Sequence, residues 1–92
     1  MDVIAITEFT REDYPAVYAL APNGGGMEET FDDWKKLADA AVAAALFQGK
    51  KVVRVRIEPD AFAAWLRAKH LDSSAETRAR YCHEVASRRM SN

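Results

Sequence analysis

The sequence is poor in the residues that build covalent and metal-bound scaffolds. Its single cysteine, Cys82, can form neither an internal disulfide nor a CxxC pair, so the fold must be held by its core alone. One histidine, His83, is adjacent to that cysteine and the other, His70, is far from both in the sequence, so no zinc-ligand spacing is present. We therefore expect no metal and no cofactor.

Long apolar runs are also missing. No segment approaches the roughly 18 consecutive apolar residues that a membrane span requires. Met1 is followed by Asp2 rather than by the basic start of a secretory signal. Together with the lone cysteine, which suits a reducing compartment, these features predict a cytoplasmic protein with no membrane segment.

What the sequence does contain is an ordinary globular composition. The chain has 92 residues, of which 49% are hydrophobic and 29% are charged, and this length suits one core and is too short for two. We expect a single compact domain over residues 1–92, with a polar segment at 88–92 that frays.

The charges are strongly segregated along the chain. Residues 1–48 contain nine acids and three bases, a net charge of −6, whereas residues 49–92 contain ten bases and five acids, a net charge of +5. The overall charge of −1 hides this dipole. Such segregation can hold the two halves together, or it can present an acidic or a basic face to a partner.

Residues 31–47 carry the clearest helical signal. Thr30 is placed as an N-cap with Asp33 three residues later, and the apolar residues that follow recur at helical spacing. Gly49, just beyond the end, is typical of a left-handed helix stop. We predict an amphipathic helix from Phe31 to Phe47.

Two short segments indicate strands. Residues 52–57 alternate, with Val53, Val55 and Ile57 on one face and two arginines on the other. Residues 3–6 form a short run rich in β-branched side chains that could pair with them. The direction of that pairing stays open.

Two further helices are predicted from start signals and proline positions. Thr10 and Asp13 mark the start of a short helix, and a proline in its first turn keeps it short. Pro59 suits the first turn of a second helix, which ends near His70. In that second helix we expect Trp65 to anchor the core.

The last helix is expected over residues 74–89. Ser73, with Glu76 three residues later, has the spacing of a capping box. Thr77, Arg80 and Arg88 would lie broadly opposite the apolar stripe, with Arg78 at its edge. That stripe is made of small side chains, namely Ala75, Ala79, Cys82, Val85 and Ala86.

The expected order of elements is therefore β-α-α-β-α-α. Since the strands are far apart in the sequence and the segments between them are helical, we predict an α+β fold dominated by helix, with about four helices and a small two-stranded sheet. Two strands alone would be marginal, so they need helices packed on one face or a second copy that extends the sheet. Monomer and homodimer both stay open.

Two groups of charged residues are candidate interaction faces. The acidic group lies at the start of the 31–47 helix, where the helix dipole already favours acids, and it could also engage a basic protein surface. Its members are Glu28, Glu29, Asp32 and Asp33. The basic group belongs to the second strand and the last helix and could contact nucleic-acid phosphates. Its members are Arg54, Arg56, Arg78, Arg80 and Arg88.

No set of residues has the spacing of a catalytic site. The glycine-rich loop 23–26 lacks the GxxxxGK[ST] pattern of a P-loop, so we expect a flexible connector between two helices. Cys82 and His83 project about 100° apart on a helix and cannot act as nucleophile and base. If the protein were an enzyme, the polar cluster to test would be Tyr81, Cys82, His83 and Glu84.

These observations favour a non-enzymatic interaction protein that binds another protein through a charged face. Small size and a bias toward alanine and arginine are also typical of accessory proteins of bacteria and phages. Those proteins include inhibitors of host defence such as anti-CRISPR proteins, and this analogy of type rests on no motif. The alternative is a nucleic-acid-binding regulator that uses the arginine-rich half, although the net charge near zero is unusual for that class.

Overall fold

Four helices and a two-stranded sheet follow one another in the predicted order. A computed structural model describes residues 2–90. The predicted α+β class is confirmed. Residues 88–90 of the segment expected to fray belong to the last helix, and residues 91 and 92 lie outside the described residues. The elements are β1 (Val3–Glu8), α1 (Tyr14–Tyr18), a 3-10 segment (Pro22–Gly26), α2 (Phe31–Phe47), β2 (Lys51–Arg56), α3 (Pro59–Lys69) and α4 (Ala75–Met90).

The two strands pair in parallel, with Val3 aligned to Lys51. A parallel pair needs a crossover connection, and the chain through α1 and α2 supplies it. α4 packs on one face of the sheet, where Cys82 joins Val55 in a buried cluster. α2 lies across the other face, beside Ile6. The sheet is therefore a thin central layer between helices.

An aromatic core joins α1, α3 and α4 to Phe9 and Ile57, which directly follow the two strands. Phe62 is fully buried, and its ring meets Tyr81 edge to face with centroids 5.2 Å apart. Trp65, the expected anchor, is only half-buried, and its Nε1 donates a hydrogen bond to Glu84 Oε2 at 2.8 Å. Phe62 rather than Trp65 is thus the deeper anchor. The buried members of this core are Phe9, Tyr14, Val17, Ile57, Phe62, Leu66 and Tyr81.

Both predicted ends of α2 are confirmed. Thr30 Oγ1 accepts a hydrogen bond from the Asp33 amide at 3.1 Å, which is the N-cap geometry. Gly49 has a φ of 78°, the left-handed conformation that glycine adopts without steric cost. α2 therefore has a defined length of 17 residues before the chain turns into β2.

The start of α4 is displaced by one residue from the prediction. Ser74 Oγ accepts a hydrogen bond from the Thr77 amide at 3.1 Å, and Thr77 Oγ1 accepts one from the Ser74 amide at 2.8 Å. Thr77 Oγ1 also donates to the Asp72 carbonyl at 2.9 Å. The predicted capping box of Ser73 and Glu76 is therefore wrong, because Thr77 completes the box one residue later.

The predicted stripe of α4 is confirmed at Cys82 and Ala86, which are buried, and is wrong in the first half of the helix. Ala75 and Ala79 are exposed, whereas Thr77 and Tyr81 are buried. The Tyr81 ring carries far more apolar surface than an alanine methyl group, and its contact with Phe62 turns this side of the helix inward. The two alanines consequently face away from the core and remain open to solvent.

Candidate functional site

Three of the four acidic candidates line one groove. Glu28, Glu29 and Asp33 border a shallow surface groove of about 460 Å³ together with Lys36 and Leu37. Among residues 2–90, no ion pair reaches these three carboxylates. This acidic groove therefore has three carboxylates outside any ion pair and one lysine, Lys36, which leaves a net negative charge at the start of α2.

Asp32 stands apart from the acidic groove. Its carboxylate accepts a hydrogen bond from Arg11 Nη2 at 2.8 Å. The Arg11 guanidinium also lies over the Phe31 ring, 4.7 Å from the ring centroid. Both charged side chains are about two-thirds exposed, so the pair adds little stability. The charge of Asp32 is nevertheless already compensated within the chain.

α2 leaves most of its length exposed. Only Val42 and Ala45 among its 17 residues are buried. Leu37 and Phe47 remain 58% and 94% exposed. Leu37 also borders the acidic groove, so the apolar and acidic surfaces are continuous. Helical spacing places five exposed apolar residues on one side of α2, which we call the outer strip: Leu37, Ala40, Ala41, Ala44 and Phe47.

The two strand arginines pair with acids of the N-terminal half. Arg54 Nη1 lies 3.9 Å from Glu8 Oε1. Arg56 donates two hydrogen bonds to Asp13 Oδ2, at 2.6 and 2.9 Å. This contact holds the pKa of Asp13 below its ordinary value and raises the pKa of Arg56. Part of the segregated charge therefore ties the two halves of the chain together.

The three arginine candidates of α4 have unlike surroundings. The Arg80 guanidinium lies 5.9 Å from the Trp65 ring centroid, and Arg88 is exposed. Arg78 is only 8% exposed. The expectation that Arg78 belongs to an exposed basic surface does not fit this burial. The five basic candidates consequently do not make one exposed set.

Arg78 fastens α4 to the glycine-rich segment. Its Nη2 donates a hydrogen bond to the Gly25 carbonyl at 2.9 Å. Its Nη1 has no hydrogen-bond partner within residues 2–90, and burial lowers the pKa of the guanidinium. Gly24 has a φ of 74°, and a β-carbon there would overlap the Tyr18 ring. The segment is a tightly packed left-handed turn rather than the expected flexible connector.

A second and larger groove, of about 600 Å³, follows the outer edge of β1. Residues 5–7 of β1 form its floor. One wall is α4, which contributes Ala75 and Ala79, and the opposite wall includes Met27 and Trp34. We call this the edge groove. It exists because α4 turns its alanines away from the core and toward this opening.

The four polar residues 81–84 do not converge on a reaction centre. Cys82 is 2% exposed, and burial raises the pKa of its thiol, which is the opposite of nucleophile activation. His83 is exposed on the next position, and the Glu84 carboxylate is held by Trp65. Among residues 2–90, no group of three or more histidine, cysteine, aspartate or glutamate side chains is arranged to hold a metal ion.

Sequence reasoning missed the exposure of α2 and the presence of the edge groove. A signal for the first was available, because apolar residues cover a wide arc of α2, wider than one core contact can bury. The edge groove had no comparable signal. Its shape depends on the orientation of α4, which a contact across the core decides.

No protein-family model, curated protein or solved structure matches this chain. Within residues 2–90, no helix combines the length and the apolar content needed to cross a bilayer. The features of this chain that bear on function are the surface chemistry of α2 and of the β1 edge.

Proposed function

We propose that the protein is a non-enzymatic binding module that engages another protein through the outer strip and the acidic groove of α2. The observation that carries this proposal is the exposure of Leu37 and Phe47, at 58% and 94%, at the two ends of the outer strip. Three carboxylates without ion pairs lie at the end of the same surface. Apolar side chains grouped in this way are typical of interaction sites, whereas single scattered ones are not.

A bound partner makes favourable contacts with both the outer strip and the acidic groove. Removing the side chain of Phe47 or Leu37 from water contributes about 1.5–3 kcal/mol each. The alanines between them allow a partner to approach the α2 backbone closely. The carboxylates of the acidic groove steer and orient a basic surface more than they add affinity. The expected partner therefore presents apolar side chains flanked by lysine or arginine.

Nucleic-acid binding has less support. Arg54 and Arg56 are engaged with acids, and Arg78 is buried, so three of the five basic candidates are not free to neutralise phosphates. A cytoplasmic accessory role in bacteria or phages, such as inhibition of a host defence, stays a proposal by analogy of type.

The test is affinity capture with matched variants. Wild type, Phe47→Glu and the double variant Glu29→Lys/Asp33→Lys are tagged and incubated with lysate of the native host, in parallel with and without nuclease treatment. Captured proteins are then quantified by mass spectrometry. Asp60→Lys and Ala64→Glu, at exposed positions of α3, control for charge reversal and for an added carboxylate. We expect a specific protein that both α2 variants lose and both α3 controls retain.

The other outcomes point elsewhere. Capture that the α2 variants leave unchanged would refute the α2 surface as the binding site. Capture that disappears from the wild type on nuclease treatment would favour a nucleic-acid ligand. If the purified wild type sediments as a dimer and Phe47→Glu as a monomer, a second copy covers the outer strip instead. Far-UV circular dichroism checks that each variant keeps its helices.

A further inference from the structure

β1 has one unpaired edge. The sheet described by residues 2–90 contains two strands, and β2 occupies one side of β1. The carbonyls of Asp2 and Glu8 accept hydrogen bonds of 2.9 Å from the amides of Lys51 and Ile57, so the even-numbered residues of β1 face β2. In a parallel ladder, alternate residues point their main-chain groups to opposite edges. Residues 3, 5 and 7 therefore present N–H and C=O groups at the outer edge.

The edge groove lies on this outer edge, with residues 5–7 as its floor. Ala75 and Ala79 are small, so the α4 wall leaves room above the strand, and Met27 and Trp34 give the other wall an apolar surface. A strand of about five residues spans about 17 Å and fits along the six residues of β1. The groove thus places the main-chain groups of residues 5 and 7 within reach of one added strand, which would extend along β1 beyond both ends of the groove.

Arg78 gives the groove a preference for negative charge. It borders the groove, is 8% exposed, and has no hydrogen-bond partner for Nη1 within residues 2–90. No carboxylate of those residues lies within ion-pair distance of it. Since a buried cation without a counter-ion is destabilising, an acidic group near it is favourable. Glu28 lies on the opposite wall and repels other carboxylates. The acidic group of a ligand is therefore favoured on the α4 side of the groove.

We propose that the edge groove binds an extended acidic peptide of a partner protein, which adds to β1 as a third strand. Hydrogen bonds to the main chain of residues 5 and 7 supply affinity, and a carboxylate of the peptide lies near Arg78. A second copy does not fit, because its own β1 edge lies at the base of an identical groove. The site is separate from the outer strip, shares only Glu28 with the acidic groove, and does not depend on the function proposed above.

The test uses a synthetic library of random heptapeptides with free C-termini, selected on the immobilised full chain. Ala79→Phe fills the groove from the α4 wall, and Ala64→Phe on the exposed side of α3 is the matched control. We expect the enriched peptides to be acidic and to bind Ala79→Phe about tenfold or more weakly than wild type. They should bind Ala64→Phe and Phe47→Glu as they bind wild type, which separates this site from the α2 surface.

Two further measurements tie binding to the strand edge and to charge. Bound peptide should slow hydrogen exchange at the Ala5 and Thr7 amides, while the Ile4 and Ile6 amides, which face β2, change little. Amide replacement of the peptide's acidic side chains, or of its C-terminal carboxylate, identifies the group near Arg78 by the larger loss of affinity.

Four results would overturn the proposal. They are the absence of any enriched sequence, equal binding of the enriched peptides to Ala79→Phe, unchanged exchange at Ala5 and Thr7, and full affinity after both carboxylate replacements. The first two remove the groove as a binding site, the third removes strand addition, and the fourth removes the acidic preference.

Discussion

α2 and α3 use the same kinds of apolar residue in opposite ways. In α3, which is 11 residues long, Phe62 and Leu66 are 0% and 7% exposed. In α2, which is 17 residues long, Leu37 and Phe47 remain 58% and 94% exposed. The core buries the apolar side of α3. The longer α2 contacts the rest of the fold only through a narrow stripe of residues. An amphipathic pattern shows that a helix has an apolar side, and it does not show how much of that side the fold covers.

Phe62 and Phe47 test this comparison most directly. Phe62→Ala removes a fully buried ring that contacts Trp65 and Tyr81, and it should lower the free energy of unfolding by about 3–5 kcal/mol. Phe47→Ala removes a ring that is already in water, and it should change that free energy by less than about 0.5 kcal/mol. Chemical denaturation of both variants measures the difference. Equal losses would mean that Phe47 is covered in solution.

Substitutions at Gly24 and Gly49 compare the glycine-rich segment, which packs on Tyr18, with the turn that ends α2. Both have positive φ, of 74° and 78°. A β-carbon at Gly24 would overlap the Tyr18 ring, whereas one at Gly49 meets no atom within 4 Å. We expect a loss of about 2–4 kcal/mol for Gly24→Ala, from backbone strain and overpacking, and about 1 kcal/mol for Gly49→Ala, from strain alone. Similar urea midpoints for the two variants would show that the glycine-rich segment adjusts its backbone to the added methyl group, as a flexible connector does.

Most of the fold could be predicted because its signals are local. Thr30 and Gly49 bound α2, and alternating valines mark β2, through interactions with near neighbours in the sequence. The orientation of α4 could not be predicted in this way. Ala75 and Ala79 continue an apolar stripe as well as Tyr81 does, and only a contact across the core selects the tyrosine side.

The candidate site was predictable to a smaller extent. Glu28, Glu29 and Asp33 are close in the sequence, and the fold keeps them in one groove. The pairing of Asp32 with Arg11 joins positions 21 residues apart, and no local pattern indicates it. The burial of Arg78 follows from the orientation of α4, so it could not be predicted from the sequence either. Long-range contacts therefore decide which predicted charges remain free.

The caps of α4 and α2 extend the comparison to the helix starts. Thr77 is buried and bonds both the Ser74 amide and the Asp72 carbonyl, so Thr77→Val should cost about 1–3 kcal/mol by leaving them unpaired. Thr30 is exposed and caps α2 with one bond, so Thr30→Ala should cost about 1 kcal/mol. Urea unfolding compares the two. A larger loss for Thr30→Ala would mean that the exposed helix contributes more to stability than its burial indicates.

The ion pairs give the smallest contrast, and it depends on pH. Asp13 has a side chain that is 15% exposed, and Arg56 joins it to β2 through two hydrogen bonds. Asp39 pairs with Lys35 within α2, and both of these side chains are more than half exposed. The bond to Arg56 lowers the pKa of Asp13 in the folded state. Its stabilising effect is therefore complete above the unfolded pKa, about 3.9, and is lost as the pH falls through the lower folded value.

Asp13→Asn should accordingly lower the melting temperature near neutral pH, and its deficit should shrink once the pH falls below about 4. Asp39→Asn should melt close to wild type throughout, because an exposed pair within one helix contributes little. Thermal melts of the three proteins between about pH 7 and about pH 2.5 measure both effects. A deficit for Asp13→Asn that persisted at the lowest pH would mean that the residue acts through packing rather than charge. The difference between the Asp13–Arg56 pair at β2 and the Asp39–Lys35 pair on α2 would then have no electrostatic basis.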